Sequence, residues 1–249
     1  MPLFDLQRVT QRFGDVAALA ETSLSIYPGE RVALVGSSGA GKSTLLRLLN
    51  GTLLPSQGEV WALGHPLGRL SSRQRRRVQR QIGTIYQQFH LVEPLRVVHN
   101  VNAGHLGRWP LWKAVLSLVY PLERDRAIAA LHRVGIPEKL DARTENLSGG
   151  QQQRVAIARV LVQNPLVILA DEPVSSLDPE RSRDVMALLR ELVVEDGKTL
   201  VVSLHTVELA RQFCDRIIGL RQGRIVFDAP TAAISDAMLT QLYALEDEG

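Results

Sequence analysis

Between an apolar run at Val32–Val35 and a leucine-rich stretch from Lys42 to Asn50, the chain reads Gly36-Ser37-Ser38-Gly39-Ala40-Gly41-Lys42-Ser43. Few folds accommodate this. A strand has to end and a helix has to begin, and the glycines between them let the backbone turn its amides inward. The helix then presents its positive N-terminal end to the same point, and together these make a cradle for phosphate. Lys42 reaches the β- and γ-phosphates of a nucleoside triphosphate, and the Ser43 hydroxyl is a ligand for Mg²⁺. Gly36 through Ser43, with Thr44 after them, are the expected nucleotide contacts, while Leu45, Leu46, Leu48 and Leu49 are available for burial.

A second apolar run, Val167-Ile168-Leu169-Ala170, ends in Asp171-Glu172-Pro173. In open α/β sheets, strand ends deliver side chains to ligands. Asp171 is therefore expected to hold Mg²⁺, directly or through water, and Glu172 to act as general base on the attacking water. Two adjacent carboxylates at the end of an uncharged strand need a cationic partner, which Mg·ATP supplies.

Residues Leu147-Ser148-Gly149-Gly150-Gln151-Gln152-Gln153-Arg154 open a helical segment. This octad, about a hundred residues after the cradle, resembles the signature of ATP-binding cassette (ABC) ATPases. The resemblance implies an α/β fold of the P-loop NTPase type, with a RecA-like core, an antiparallel β subdomain and an inserted α-helical subdomain. It implies further that Gln87 is the glutamine that touches metal and water and senses a membrane partner, and that His205 contacts the γ-phosphate. Ser176-Leu177-Asp178 matches the loop along a dimer seam, with Asp178 near nucleotide. Phe13 matches the aromatic that stacks on adenine, although a core phenylalanine is the alternative at that position. By the same resemblance Ser148, Gly149, Gly150 and Gln151 meet the γ-phosphate held by an opposite subunit, so two chains sandwich two ATP molecules.

The 249 residues are 45% apolar. They contain no signal peptide and no apolar run near the roughly 18 residues that span a bilayer, so a soluble cytoplasmic protein is expected, peripheral to the inner membrane through its partners. Cys214 is the only cysteine, which excludes a disulfide framework and a cysteine-based zinc site and points to a small buried residue. The net charge of +3 is modest, yet Arg73-Gln74-Arg75-Arg76-Arg77-Val78-Gln79-Arg80 concentrates positive charge. A solvated helix face, a membrane-surface contact and nucleic-acid binding are the three readings of that run. The expected partners do not include nucleic acid, because the run has no interleaved aromatics.

One domain is expected over 1–249, with 1–87 and 160–249 as the nucleotide-binding core and 88–159 as the helical signature subdomain. Gly104-His105-Leu106-Gly107-Arg108-Trp109-Pro110-Leu111-Trp112 and Cys214-Asp215-Arg216-Ile217-Ile218-Gly219-Leu220 resemble segments of the phosphonate importer ATPases. Ser175 departs from the alanine expected there, and Phe13 from the commoner tyrosine. The resemblance implies transmembrane permease subunits as direct partners and an extracytoplasmic solute-binding protein as an indirect one. Trp109, Leu111, Trp112, Val115, Leu116 and Val119 read as an amphipathic helix, either packed into the subdomain core or offered as a docking surface. An exporter, an importer of phosphate, amino acids or metal chelates, a non-transport ABC ATPase and a P-loop kinase are the alternatives; the octad speaks against the kinase. Thr231–Leu245 suggests short helices before an acidic end at Glu246–Gly249.

Overall fold

A computed structural model of the chain describes residues 1–175 and 177–243. Ser176 and the acidic end therefore lie outside the described residues. The chain opens with β1 (Phe4–Phe13), β2 (Val16–Ile26), β3 (Arg31–Val35), α1 (Lys42–Leu49), β4 (Gln57–Ala62), β5 (His65–Pro66), α2 (Ser72–Gln79) and β6 (Ile82–Ile85). Helices α3 (Val97–Asn102), α4 (Leu111–Val119), α5 (Arg124–Arg133) and α6 (Gly149–Gln163) follow. The chain then runs through β7 (Val167–Ala170), α7 (Pro179–Glu195), β8 (Thr199–Leu204), α8 (Val207–Phe213), β9 (Arg216–Arg221), β10 (Arg224–Pro230) and α9 (Asp236–Tyr243).

Two sheets form among these residues. One is antiparallel in the order β2-β1-β4-β5; the other runs β10-β9-β3-β8-β7-β6, parallel from β9 to β6. Parallel strands buried on both faces read as unbroken apolar runs, which is why Val32–Val35 and Val167–Ala170 show no polar alternation. Their side chains still point to opposite faces in turn. Ala33, Val35, Ile168, Ala170, Leu200 and Val202 pack against the helical side, with Leu131, Ile157 and Leu189. Val32, Leu34, Val167, Leu169 and Val201 face the other way, onto α1 and the antiparallel sheet. The four leucines of α1 are all buried there, as its spacing predicts.

The helical segment sits on the first face. Its signature helix α6 lies directly on β6: a Cβ on Gly83 would meet Val160 Cγ1 at 2.6 Å and Pro165 Cγ at 2.8 Å. Asn100, buried in α3, accepts from the Val92 amide (2.8 Å) and donates to the Val92 carbonyl and the Thr144 hydroxyl (2.9 Å each). That pins the chain leaving β6 to the helical layer.

Helix α5 starts at Arg124, after Glu123 turns with φ 53°. Two details choose between the alternatives of the sequence reading. The arginine run is helical, capped by Ser71 and anchored by buried Val78, with Arg73, Arg76, Arg77 and Arg80 exposed. Helix α4 corrects the expectation of core packing: Leu111, Trp112, Val115, Leu116 and Val119 face solvent, because the side of α4 against the protein carries Lys113, Ala114 and Ser117.

Gly83→Val is expected to lower stability by about 1–3 kcal/mol, since α6 and Pro165 must move to admit the side chain. Urea denaturation of the variant against the parent measures this; an unchanged midpoint would refute the close contact of β6 with α6.

Candidate active site

Adjacent parallel strands point their C-terminal ends at one edge of the sheet. The cradle follows β3, His205 follows β8, Asp171-Glu172 follow β7 and Gln87 follows β6, in the spatial order β3-β8-β7-β6. Residues spread over more than a hundred positions are thereby brought to one place, the usual ligand edge of an open α/β sheet.

Two glycines of the cradle are sterically obligatory. Gly36 has φ 153°, and a Cβ on it would lie 2.1 Å from the Leu220 carbonyl oxygen; Gly41 has φ 104°, with the Ala18 carbonyl oxygen 2.6 Å from its would-be Cβ. The backbone can turn there only without side chains. Lys42 at the start of α1 is buried, and its ammonium donates to the carbonyls of Gly36 (2.8 Å) and Ser37 (3.0 Å). It stands 3.8 Å from the Glu172 carboxylate. Burial pushes its pKa below the ordinary lysine value, and the Glu172 and Asp171 charges oppose that shift.

Asp171 Oδ1 accepts from the Ser43 hydroxyl (3.0 Å) and from the Ser203 hydroxyl (2.8 Å). Ser203 in turn accepts from the Glu172 amide at 2.8 Å, which holds Glu172 in its left-handed conformation at φ 48°. Glu172 Oε1 lies 2.8 Å from His205 Nε2. Ser175 completes the turn, its hydroxyl donating to the Glu172 carbonyl at 3.2 Å. Ser203 is the residue that sequence reading missed. Its only mark in the sequence is a lone serine among the apolar residues of Leu200–Leu204; once the fold buries it, it requires a partner.

The other expected residues lie further out. Gln87 is exposed at the head of a turn beyond β6 and makes no hydrogen bond to Ser43 or Asp171 among the described residues. Phe13, at the end of β1, is 47% exposed, so the core alternative fails and its ring is available for stacking. Ser148 caps α6 through a reciprocal box with Gln151, accepting from its amide at 3.4 Å while Gln151 Oε1 accepts from the Ser148 amide at 3.1 Å. Asp178 caps α7 by accepting from the Arg181 amide at 3.0 Å. Ser148, Gly150 and Gln151 border a cavity of about 480 Å³ with Leu177 and Arg181, and no cradle residue lines it.

Two side chains of α6 reach back toward the site. Gln153, wholly buried, donates to the Pro173 carbonyl. Arg159 donates to the carbonyls of Phe89 (2.6 Å) and His90 (2.8 Å), clasping the turn that contains Gln87.

The profile of the ABC transporter family matches residues 19–175. The chain is 47% identical over 247 residues to the phosphonates import ATP-binding protein PhnC of Stutzerimonas stutzeri, covering 97% of this chain and 89% of that one. It is 50% identical over 229 residues to phosphonates import ATP-binding protein PhnC 1 of Pseudomonas aeruginosa, covering 92% and 86%. Among solved structures, the ATP-binding cassette MJ0796, described as a dimer in a post-hydrolysis state bound to ADP and Pi, superposes with a TM-score of 0.80 at 34% identity. That match covers 93% of this chain and 100% of that one.

Ser203→Ala removes the hydroxyl that bridges Asp171 and the Glu172 amide. Loss of such an outer-shell partner is expected to lower ATPase turnover roughly 10- to 100-fold. A turnover assay at saturating ATP reads this, and full activity would show that the bridge is dispensable.

Proposed function

The chain belongs to the ABC transporter family, and from that premise we propose that it is the ATP-hydrolysing, energy-coupling subunit of a phosphonate importer. The observation that carries the chemistry is the convergence of Lys42, Ser43, Asp171, Glu172 and His205 on one sheet edge. The solute class rests on the relatives at 47–50% identity, which are phosphonates import ATP-binding proteins.

ATP binds with its phosphates in the cradle of Gly36–Thr44 and its base against Phe13, where stacking contributes on the order of 1–3 kcal/mol by analogy with single-stranded nucleic-acid sites. Lys42 binds the β- and γ-phosphates. Glu172, oriented by His205, takes a proton from water as the water oxygen attacks the γ-phosphorus. The bond from that phosphorus to the β-bridging oxygen breaks, and ADP leaves with the electron pair. The Ser43 hydroxyl and Asp171 carboxylate, 3.0 Å apart, are a hard oxygen pair suited to Mg²⁺. When bound, that ion neutralises charge developing on the phosphates.

The signature octad borders a cavity that no cradle residue lines, which supports completion of each site by a second copy. Ser148, Gly149, Gly150 and Gln151 then meet the γ-phosphate at the positive end of α6, whose first turn carries no acidic residue. Asp178 lies along the seam. Hydrolysis removes the γ-phosphate that joins the two chains and lets them part. No described helix is long and apolar enough to cross a membrane. We assign the chain to the cytoplasmic face of the inner membrane, held there by permease subunits. A cleft of about 390 Å³ lined by Tyr86, His90, Gly104 and Arg159 adjoins the Gln87 turn and suits a permease helix. A solute-binding protein delivers the phosphonate outside, and the solute does not touch this chain.

Glu172→Gln is expected to slow hydrolysis about 10²- to 10⁴-fold while sparing ATP binding and accumulating a closed dimer. Turnover, nucleotide titration and gel filtration in ATP read the three effects; unchanged turnover would remove Glu172 from the role of base. In proteoliposomes with permease and binding protein, ATPase stimulation by a phosphonate or phosphite, and not by phosphate or amino acids, is the expected specificity. Stimulation by another solute would keep the motor and discard the phosphonate assignment.

A further inference from the structure

Helix α4 is inside out. Leu111, Trp112, Val115, Leu118 and Val119 are each between 57% and 80% exposed, while the face against the protein is polar or small. At 100° per residue, these five positions fall within an arc of about 120°, a third of the circumference of the helix. Its orientation is held by polar anchors. The Lys113 ammonium pairs with Glu123 at 2.9 Å and lies 5.0 Å from the Trp109 ring centre, and Trp109 stacks on His105 at 4.8 Å. The Ser117 carbonyl is 3.0 Å from His99 Nδ1. Rotating the apolar face inward would break these contacts.

Positive charge adjoins the same segment. Arg76, Arg80 and Arg108 line one cavity of about 380 Å³ together with Leu106 and Gly107, which lead into α4. Among the described residues none of the three is ion-paired with a carboxylate. From Pro94 to Leu122 the chain contains no aspartate or glutamate. Large apolar surface is seldom left in water without a use, and its uncompensated cationic border selects a partner that is apolar inside and anionic at its edge. An anionic bilayer has both properties. Trp112 and Tyr120, near the two ends of α4, are the side chains that settle at the headgroup level.

We propose that α4 and the Arg76, Arg80 and Arg108 cluster form a direct lipid-contact surface, with α4 lying in the plane of an anionic membrane interface. Apolar burial supplies one part of the attraction and the arginines the other. The contact goes beyond the transport reading, since it requires neither nucleotide nor permease.

Flotation of the purified full chain with phosphatidylethanolamine–phosphatidylglycerol vesicles tests it, with phosphatidylcholine vesicles as the contrast. Binding to the anionic vesicles that weakens with salt is expected, together with tryptophan quenching by shallow brominated lipids that Trp112→Phe removes. A Trp112→Gln, Val115→Gln, Leu118→Gln variant should bind roughly tenfold or more weakly, and Arg76→Glu with Arg80→Glu about as weakly. Both should keep the circular dichroism and ATPase turnover of the parent, which separates this result from any failure of the transport assignment. Absence of flotation at low salt, equal flotation of the apolar triple variant, or capture only by vesicles carrying the permease would overturn the proposal; the last would make α4 a protein contact.

Discussion

The Asp171 carboxylate takes hydroxyls from two neighbouring segments, Ser43 from the cradle helix and Ser203 from β8, and stands at the end of a third, β7. A carboxylate at the end of a wholly apolar strand is costly unless such donors meet it. Their presence ties three parts of the chain to one point. Ser203 extends the tie by fixing the Glu172 amide, and Glu172 carries it to Lys42 and His205. Each group is positioned by the next, so the geometry belongs to the network as a whole. The parallel register of β3, β8 and β7 makes this possible, since it brings three strand ends to a common edge.

The signature helix is bound into the same arrangement from the other side. A helix of 15 residues is a rod of about 22 Å. Near its start Gln153 grips the backbone just past the acid pair, and further along Arg159 grips the turn that holds Gln87. Displacement of either contact is carried along the rod, because a packed helix moves as a unit. Changes at the phosphate end thus have a physical route to the surface where the helical layer meets its partners. Helix α4 hangs from that layer by ion pairing and stacking, with its apolar face left outward.

Much of this was legible in the sequence because it depends on short-range chemistry. Gly36 and Gly41 mark a turn that side chains forbid, the leucines of α1 mark one buried face, and Ser148 with Gln151 marks a helix start. The run at Val167–Ala170 became a strand with those bounds, since a parallel strand buried on both faces is apolar throughout. Cys214 is buried as expected, and desolvation pushes its thiol up to about 12.

The tertiary structure alone decided which of these pieces meet. Ser203 reads as one polar residue in a strand until β8 is placed beside β7, when its hydroxyl falls between Asp171 and the Glu172 amide. Gln153 and Arg159 are two polar positions on a helix until α6 is laid across the acid pair and the Gln87 turn. The apolar spacing of α4 predicts one apolar face and is the same whether that face turns in or out. Periodicity determines that a helix has two sides, but the anchors of Lys113 and Trp109, contributed by neighbours in space, determine which side the protein keeps.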